Sequence, residues 1–206
     1  MLRNWKKHIK ELSRNSWHDV MDRELVRQLI HASGVFVLIL GLFLKIDVLI
    51  LLCVIMVVSV EILFILDKYI HIPVFSSIMF TCKRSDDERG FLYFFLGIIA
   101  TLVIFSFNLS IAYSAILLLL IGDSLSTIVG RKFGKHKLPF NKHKSLEGSL
   151  AFFIVGFICC LILLPPIPAF TGALAGTLTE AYSPVDDNIP IPLVSAMIMA
   201  LVMYLL

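Results

Sequence analysis

Long apolar runs, broken by Pro, Gly and clusters of charge, dominate the chain. A membrane-spanning helix needs about 20 mostly apolar residues, and the spacing of the breaks allows about seven such helices. They are predicted near 28–44, 47–66, 91–107, 109–129, 148–165, 167–182 and 190–206. A mean hydropathy of +0.91 and a charged fraction of only 16% exclude an ordinary soluble domain. The predicted fold class is all-α: a polytopic integral membrane protein.

Charge then gives the chain a direction. Residues 1–28, 67–90 and 130–147 hold seventeen of the eighteen Lys and Arg, with only Lys45 outside them. The positive-inside rule predicts these three segments, and the amino terminus, to be cytoplasmic. The opposite connections are short, at Lys45 to Asp47, Asn108 and the PPIP turn at 165–168, so the functional side is expected to be the cytoplasmic one. Residues 1–27 show no cleavable signal pattern. Their polar, basic sequence has Trp5, Ile9 and Leu12 at helical spacing, which fits an amphipathic surface helix or a simple polybasic orientation signal. The expected organisation is that segment followed by one transmembrane domain over 28–206. A net charge of +3 does not argue for nucleic acid. Cys53, Cys82, Cys159 and Cys160 have no CxxC spacing and read as small apolar fillers.

Ionisable groups at a membrane boundary are costly and default to functional candidates. Four constellations lie on the expected cytoplasmic side. In ELVRQLIH, Glu24, Arg27 and His31 share one helical face, which an interfacial ion pair would also explain. In GDSLSTIVG, Asp123, Ser126, Thr127 and Gly130 recur at i, i+3, i+4 and i+7. A carboxylate among apolar residues needs a partner, and either a divalent cation or a Lys from the next loop would serve.

The third constellation joins GRKFG to GKHKLPFNKHKSLEG. Its cations suit a polyphosphate, with Lys144, Ser145, Glu147 and Gly148 at the start of the fifth expected span, where free N–H groups and the helix dipole favour an anion. A polybasic loop touching anionic lipid is the plainer reading, and it explains neither Gly130 and Gly134 nor Glu147. The stretch is not a P-loop, because Gly130 to Gly134 is one residue short and His136 stands where a hydroxyl is required. In the fourth, Gly172, Gly176 and Glu180 form a small-residue seam ending in a carboxylate, followed by Asp186, Asp187 and Asn188 between Pro184 and Pro190. Together these describe a site for a Mg-nucleotide and a substrate arriving from the bilayer, the arrangement phosphoryl transfer requires.

These motifs resemble the membrane family of dolichol kinase, phytol kinase and the CTP-dependent diacylglycerol kinase. The resemblance runs through ELVRQLIH, DERGFLYFFLG, GDSLSTIVGRKFGKHKL, KSLEGSLAFF and EAYSPVDDNIPIPL. It implies a CTP-dependent kinase acting with Mg2+ on the hydroxyl of a membrane lipid alcohol: a polyprenol or dolichol-type isoprenoid first, then phytol or diacylglycerol. GDSLSTIVGRKFGK and KSLEG are also similar to the CTP-binding core of phosphatidate cytidylyltransferases. Their Lys-Asp pair and Gly-His-Gly-Gly run are absent here, which ranks the kinase first.

Carried over by position, the resemblance implies catalytic roles for Asp123, Lys144, Glu147 and Asp187. It places CTP at Arg131, Lys135, Lys137, Lys144, Ser145, Gly130, Gly134 and Gly148, and metal at Asp123, Glu180, Asp186, Asp187 and Asn188. Glu24, Arg27, His31, Arg89, Ser126 and Thr127 follow as a second tier. Phe152, Phe153 and Phe157 are expected to line the lipid path. A small transporter or scaffold is the non-enzymatic alternative, and it would spread polar residues through the membrane depth. Compactness suggests the plasma membrane of a prokaryote, the endoplasmic reticulum having the same topology. Either a monomer or a homo-oligomer is compatible with the sequence.

Overall fold

The computed structural model describes residues 17–70, 90–183 and 186–206, with side chains described from residue 25 onward and Lys68 excepted. Arg89, Cys82, Pro184, the Glu24 side chain and the expected amphipathic positions Trp5, Ile9 and Leu12 lie outside the described residues. The described chain is all helical: α1 (Trp17–Ala32), α2 (Val35–Gly41), α3 (Ile46–Ile70), α4 (Gly90–Ile104), α5 (Leu109–Leu117), α6 (Asp123–Phe133), α7 (Leu146–Leu161), α8 (Pro166–Tyr182) and α9 (Pro190–Leu205). A π-helical turn, Leu118–Gly122, joins α5 to α6.

Local chemistry sets these boundaries. Asn108 caps α5 by accepting from the Ile111 N–H, and Ser145 caps α7 by accepting from the Gly148 N–H. Pro166 and Pro190 open α8 and α9 at the position where a missing N–H costs nothing. The expected 28–44 segment is divided between α1 and α2 by a turn at Ser33 and Gly34.

The core lies where α5, the π turn, α7, α8 and α9 meet. Leu118, Leu119, Leu120, Phe152 and Met199 are fully enclosed there. Small residues bring the helices together: a Cβ on Gly176 would meet the Ser195 hydroxyl of α9 at 2.7 Å, and one on Gly156 would strike Leu118. Two helical stretches, Ile46–Asp67 and Leu109–Phe133, are long and apolar enough to cross a membrane. Only 11% of the first is buried, against 72% of the second.

Candidate active site

The π turn delivers Asp123 to the core's polar end. Its N–H reaches back to the Leu118 carbonyl, and the extra residue in the turn sets the direction in which α6 leaves. Asp123 is 7% exposed and Ser126, one turn later, is 2% exposed, so the face marked by their spacing points inward.

Opposite this face, the last turn of α8 carries Glu180, itself 2% exposed. Its Oε1 accepts from Ser126 Oγ at 2.9 Å and from Lys144 Nζ at 2.7 Å, and its Oε2 accepts from Ser149 Oγ at 3.3 Å. Lys144 also donates to Asp187 Oδ2 at 2.9 Å and lies 3.8 Å from Asp123 Oδ1. One ammonium therefore ties together carboxyl groups from α6, α8 and the connection before α9. Burial alone would lower the Lys144 pKa, but the charges of Asp123, Asp187 and Glu180 and the Glu180 hydrogen bond outweigh it and raise the pKa above the usual lysine range.

The metal set expected from the sequence is thereby divided. Asp123, Glu180 and Asp187 converge on Lys144, while Asp186 Oδ1 accepts from the Asn188 backbone N–H at 3.1 Å and from its side-chain amide at 2.7 Å. Among the described residues, no three His, Cys, Asp or Glu side chains form a metal-ligating group.

The basic loop is a closed structure of its own. Lys137 and Ser145 form an antiparallel bridge, with Leu138 N–H donating to the Lys144 carbonyl and Leu146 N–H to the His136 carbonyl. Glu147 binds this loop: it accepts from Lys135 N–H at 3.1 Å, from His136 N–H at 3.2 Å and meets His136 Nδ1 at 2.8 Å. Its own backbone N–H, the His136 imidazole and these loop N–H groups hold its carboxyl down at about 2. Asn141 donates to the Ala181 carbonyl, fixing the loop tip to the end of α8. Arg131, Lys135 and Lys137 stand exposed around the loop.

Gly130, Gly134 and Gly148 receive a packing explanation that the spacing did not suggest. A Cβ on Gly148 would lie 2.8 Å from the Ser126 carbonyl and 3.2 Å from Gly130 Cα, and one on Gly134 would lie 2.5 Å from Ser145 Oγ. They let α6 and α7 cross at contact distance, with the Ser145 hydroxyl between them. Thr127 is half-buried, outside this hydrogen-bond network.

On the other side of the carboxyl groups lies a cavity of about 470 Å³. Arg27, His31, Asp123, Asp186, Asp187 and Asn188 form its polar end, while α2, α3 and α4 give it an apolar wall. Lys144 and Glu180 are outside this lining. Phe152, Phe153 and Phe157 lie away from this cavity: Phe152 is fully buried in the core, and Phe153 and Phe157 pack with Phe170 on the α7–α8 flank. None of the three lines the cavity, because α7 turns that face toward α8. Two contributors went unnoticed in the sequence. Ser149 was legible as the next turn after Ser145, and Gln28, which is 3% exposed and whose carbonyl accepts from Ser124, lies between Arg27 and His31.

No family model matches the chain, and no solved structure does. An uncharacterized protein of Methanocaldococcus jannaschii is 33% identical over 184 residues, covering 85% of this chain and 92% of that protein. A probable chloroplastic phytol kinase of Triticum aestivum is 33% identical over 135 residues, 56% of this chain and 45% of the relative. The CTP-dependent diacylglycerol kinase of Schizosaccharomyces pombe is 32% identical over 136 residues, 56% of this chain and 61% of the relative. The chain thus spans most of the archaeal protein and less than two thirds of each of these two kinases. On this likeness the chain belongs to the CTP-dependent lipid kinase family, alongside the phytol kinases and the CTP-dependent diacylglycerol kinase.

Proposed function

We propose that the protein transfers the γ-phosphate of CTP to the hydroxyl of a membrane lipid alcohol, a polyprenol-type isoprenoid in the first place, at the cytoplasmic ends of seven membrane spans. The observation that carries this reading is the position of Lys144 and its carboxyl partners between a cationic loop and an amphipathic cavity. Phosphate charge on one side and a lipid on the other are the two requirements of a lipid kinase.

In this reading the hydroxyl enters the polar end of the cavity and gives its proton to Asp123. Its oxygen bonds to the γ-phosphorus as the bond to the β,γ-bridging oxygen breaks, and CDP leaves with that electron pair. Arg131, Lys135 and Lys137 offset phosphate charge, and Lys144, held by its carboxyl partners, adds its own charge beside them. Glu180, whose two oxygens are committed to Lys144, Ser126 and Ser149, positions Lys144. Glu147 orders the loop.

The residues present fit Mg2+. One ammonium faces three carboxyl groups, and Asn188 Oδ1 is buried with no hydrogen-bond partner among the described residues. Mg2+ is commonly held by one or two carboxylates plus substrate phosphates, so a complete protein cage is not required. Asp187 and Asn188 would hold it together with the substrate phosphates, leaving Asp123 to take the proton, and it would supply neutralisation of the charge developing on the phosphates.

The test uses purified protein, Mg2+ and CTP labelled at the α or the γ phosphate, offered with polyprenol, phytol, diacylglycerol or phosphatidate. We expect γ label on an alcohol with CDP released. Transfer of α label to phosphatidate with release of pyrophosphate would replace the kinase with a cytidylyltransferase. No transfer to any acceptor would return the transporter or scaffold reading.

A further inference from the structure

Phosphoryl transfer itself occupies only the polar end of the cavity, and the apolar wall beyond it is left for the lipid. That wall has a direction. Leu49, Leu52, Cys53 and Met56 line it from α3 at i, i+3, i+4 and i+7, one continuous stripe. The stripe is about 10 Å long at ~1.5 Å per residue. Leu49, Cys53 and Phe94 are 1%, 3% and 6% exposed, whereas Phe36, Leu40 and Met56 are 64%, 46% and 48% exposed although they line the same space. Among the described residues the cavity is therefore closed at Leu49, Cys53 and Phe94 and open at its edge between α2 and α3. Its open edge is made of large apolar side chains, which suit hydrocarbon and not water.

Resting on the lipid-kinase reading, we propose that the acceptor's tail runs from the carboxyl groups along the α3 stripe, from Met56 toward Leu49, and leaves the protein sideways between α2 and α3. Phe94, which packs on His31 at the polar end, then contacts the segment next to the hydroxyl, and Cys53 and, farthest from the carboxyl groups, Leu49, which lies beside Gly41, contact the units that follow. Beyond the rim of Phe36, Leu40, Leu52 and Met56 the chain lies in the bilayer, so the protein has no means of measuring its length. A closed pocket would discriminate each added unit; an open one stops discriminating at the rim.

Three measurements test this. The wild-type protein in lipid nanodiscs is photolabelled with a phytol analogue carrying a diazirine on the segment adjoining the hydroxyl, and the adducts are mapped by mass spectrometry. Label on α2, α3 or α4 is expected, and label confined to α7 and α8 overturns the path. Across isoprenoid alcohols of increasing length, kcat/KM should rise about tenfold or more for each unit added within the wall and then become flat. A sharp length optimum overturns the open rim. Cys53→Trp should raise KM for the alcohol about tenfold while KM for CTP stays within about twofold. An unchanged alcohol KM would sink this inference and leave the kinase standing. Failure of the wild type to phosphorylate any alcohol would instead remove the reading on which it rests.

Discussion

The two sides of Lys144 are built to opposite specifications. Behind it, α5 to α9 enclose Leu118, Leu119, Phe152 and Met199 completely and touch through glycines. In front, α3 keeps only 11% of its apolar stretch buried, and the space between α2, α3 and α4 holds the cavity. Reacting groups must be held to within about 0.5 Å, which a close-packed scaffold provides. An acceptor that comes from the bilayer needs a wall that it can pass. The seam between the two regions is where the carboxyl groups are found.

The sharpest break in this comparison is a change of charge on the packed side that leaves packing alone. Asp123→Asn should lower kcat about a thousandfold, in the range expected for loss of a positioned base, with the unfolding temperature little changed. Turnover close to wild type would remove Asp123 from the mechanism. Lys144→Met comes next, because it leaves Glu180 buried without its ammonium. Breaking such a pair costs about 3 kcal/mol or more, so thermal unfolding and kcat should fall together. On the open side, Met56→Ala removes a side chain that is 48% exposed and should cost under about 1 kcal/mol. A larger loss for Met56→Ala than for Lys144→Met would invert the comparison.

Two glycines sharpen it further. On the packed side, a Cβ at Gly148 meets the Ser126 carbonyl and Gly130 Cα, backbone atoms that cannot yield without moving a helix. Gly148→Ala should therefore destabilise by about 1–3 kcal/mol. At Gly34 the nearest atoms are side-chain ends, those of Leu120 and Phe94 at 2.6 and 2.8 Å, which yield more readily than backbone, and the His31 carbonyl follows at 3.2 Å. Gly34→Ala should stay within about 1 kcal/mol and act mainly on KM for the alcohol, through Phe94. Equal losses of stability at the two positions, read by thermal unfolding, would show that the open wall is packed as firmly as the scaffold.

The same glycines mark what a sequence can and cannot reveal. All seven expected apolar segments contain helix, and several boundaries carry a local cause: Asn108, Ser145, Pro166 or Pro190 at a helix start, or a break such as Gly34. The inward face of Asp123 and Ser126 and the carboxylate at the end of the Gly172–Gly176 seam were legible from periodicity alone. The union of Lys144 with three carboxyl groups from three elements was not, because it depends on how distant segments pack. For the same reason Gly130 to Gly134 suggested phosphate, since close approach by a ligand and by a helix demand the same missing side chain. That Phe152 is enclosed in the core was illegible too, for want of any signal saying which face of α7 meets α8.

Glu147 offers the smallest and most selective test, since it stabilises the loop without entering the cluster. Its folded pKa, about 2, lies below the usual 4.5. A lowered carboxyl pKa means that its contribution is fully present above about 4.5 and is lost as pH falls through about 2. The amides of Lys135 and His136, which donate to it, should therefore lose exchange protection over that window after correction for intrinsic rates. In Glu147→Gln the protection should already be reduced at neutral pH and vary little below it. If the ordered loop is what presents Lys135 and Lys137 to phosphate, the same variant should raise KM for CTP about threefold, the effect of one modest hydrogen bond, and leave KM for the alcohol unchanged. Lost protection with an unaltered KM for CTP would separate loop order from nucleotide binding, and would leave the cationic side of Lys144 as dependent on mobile side chains as the lipid side is on an open wall.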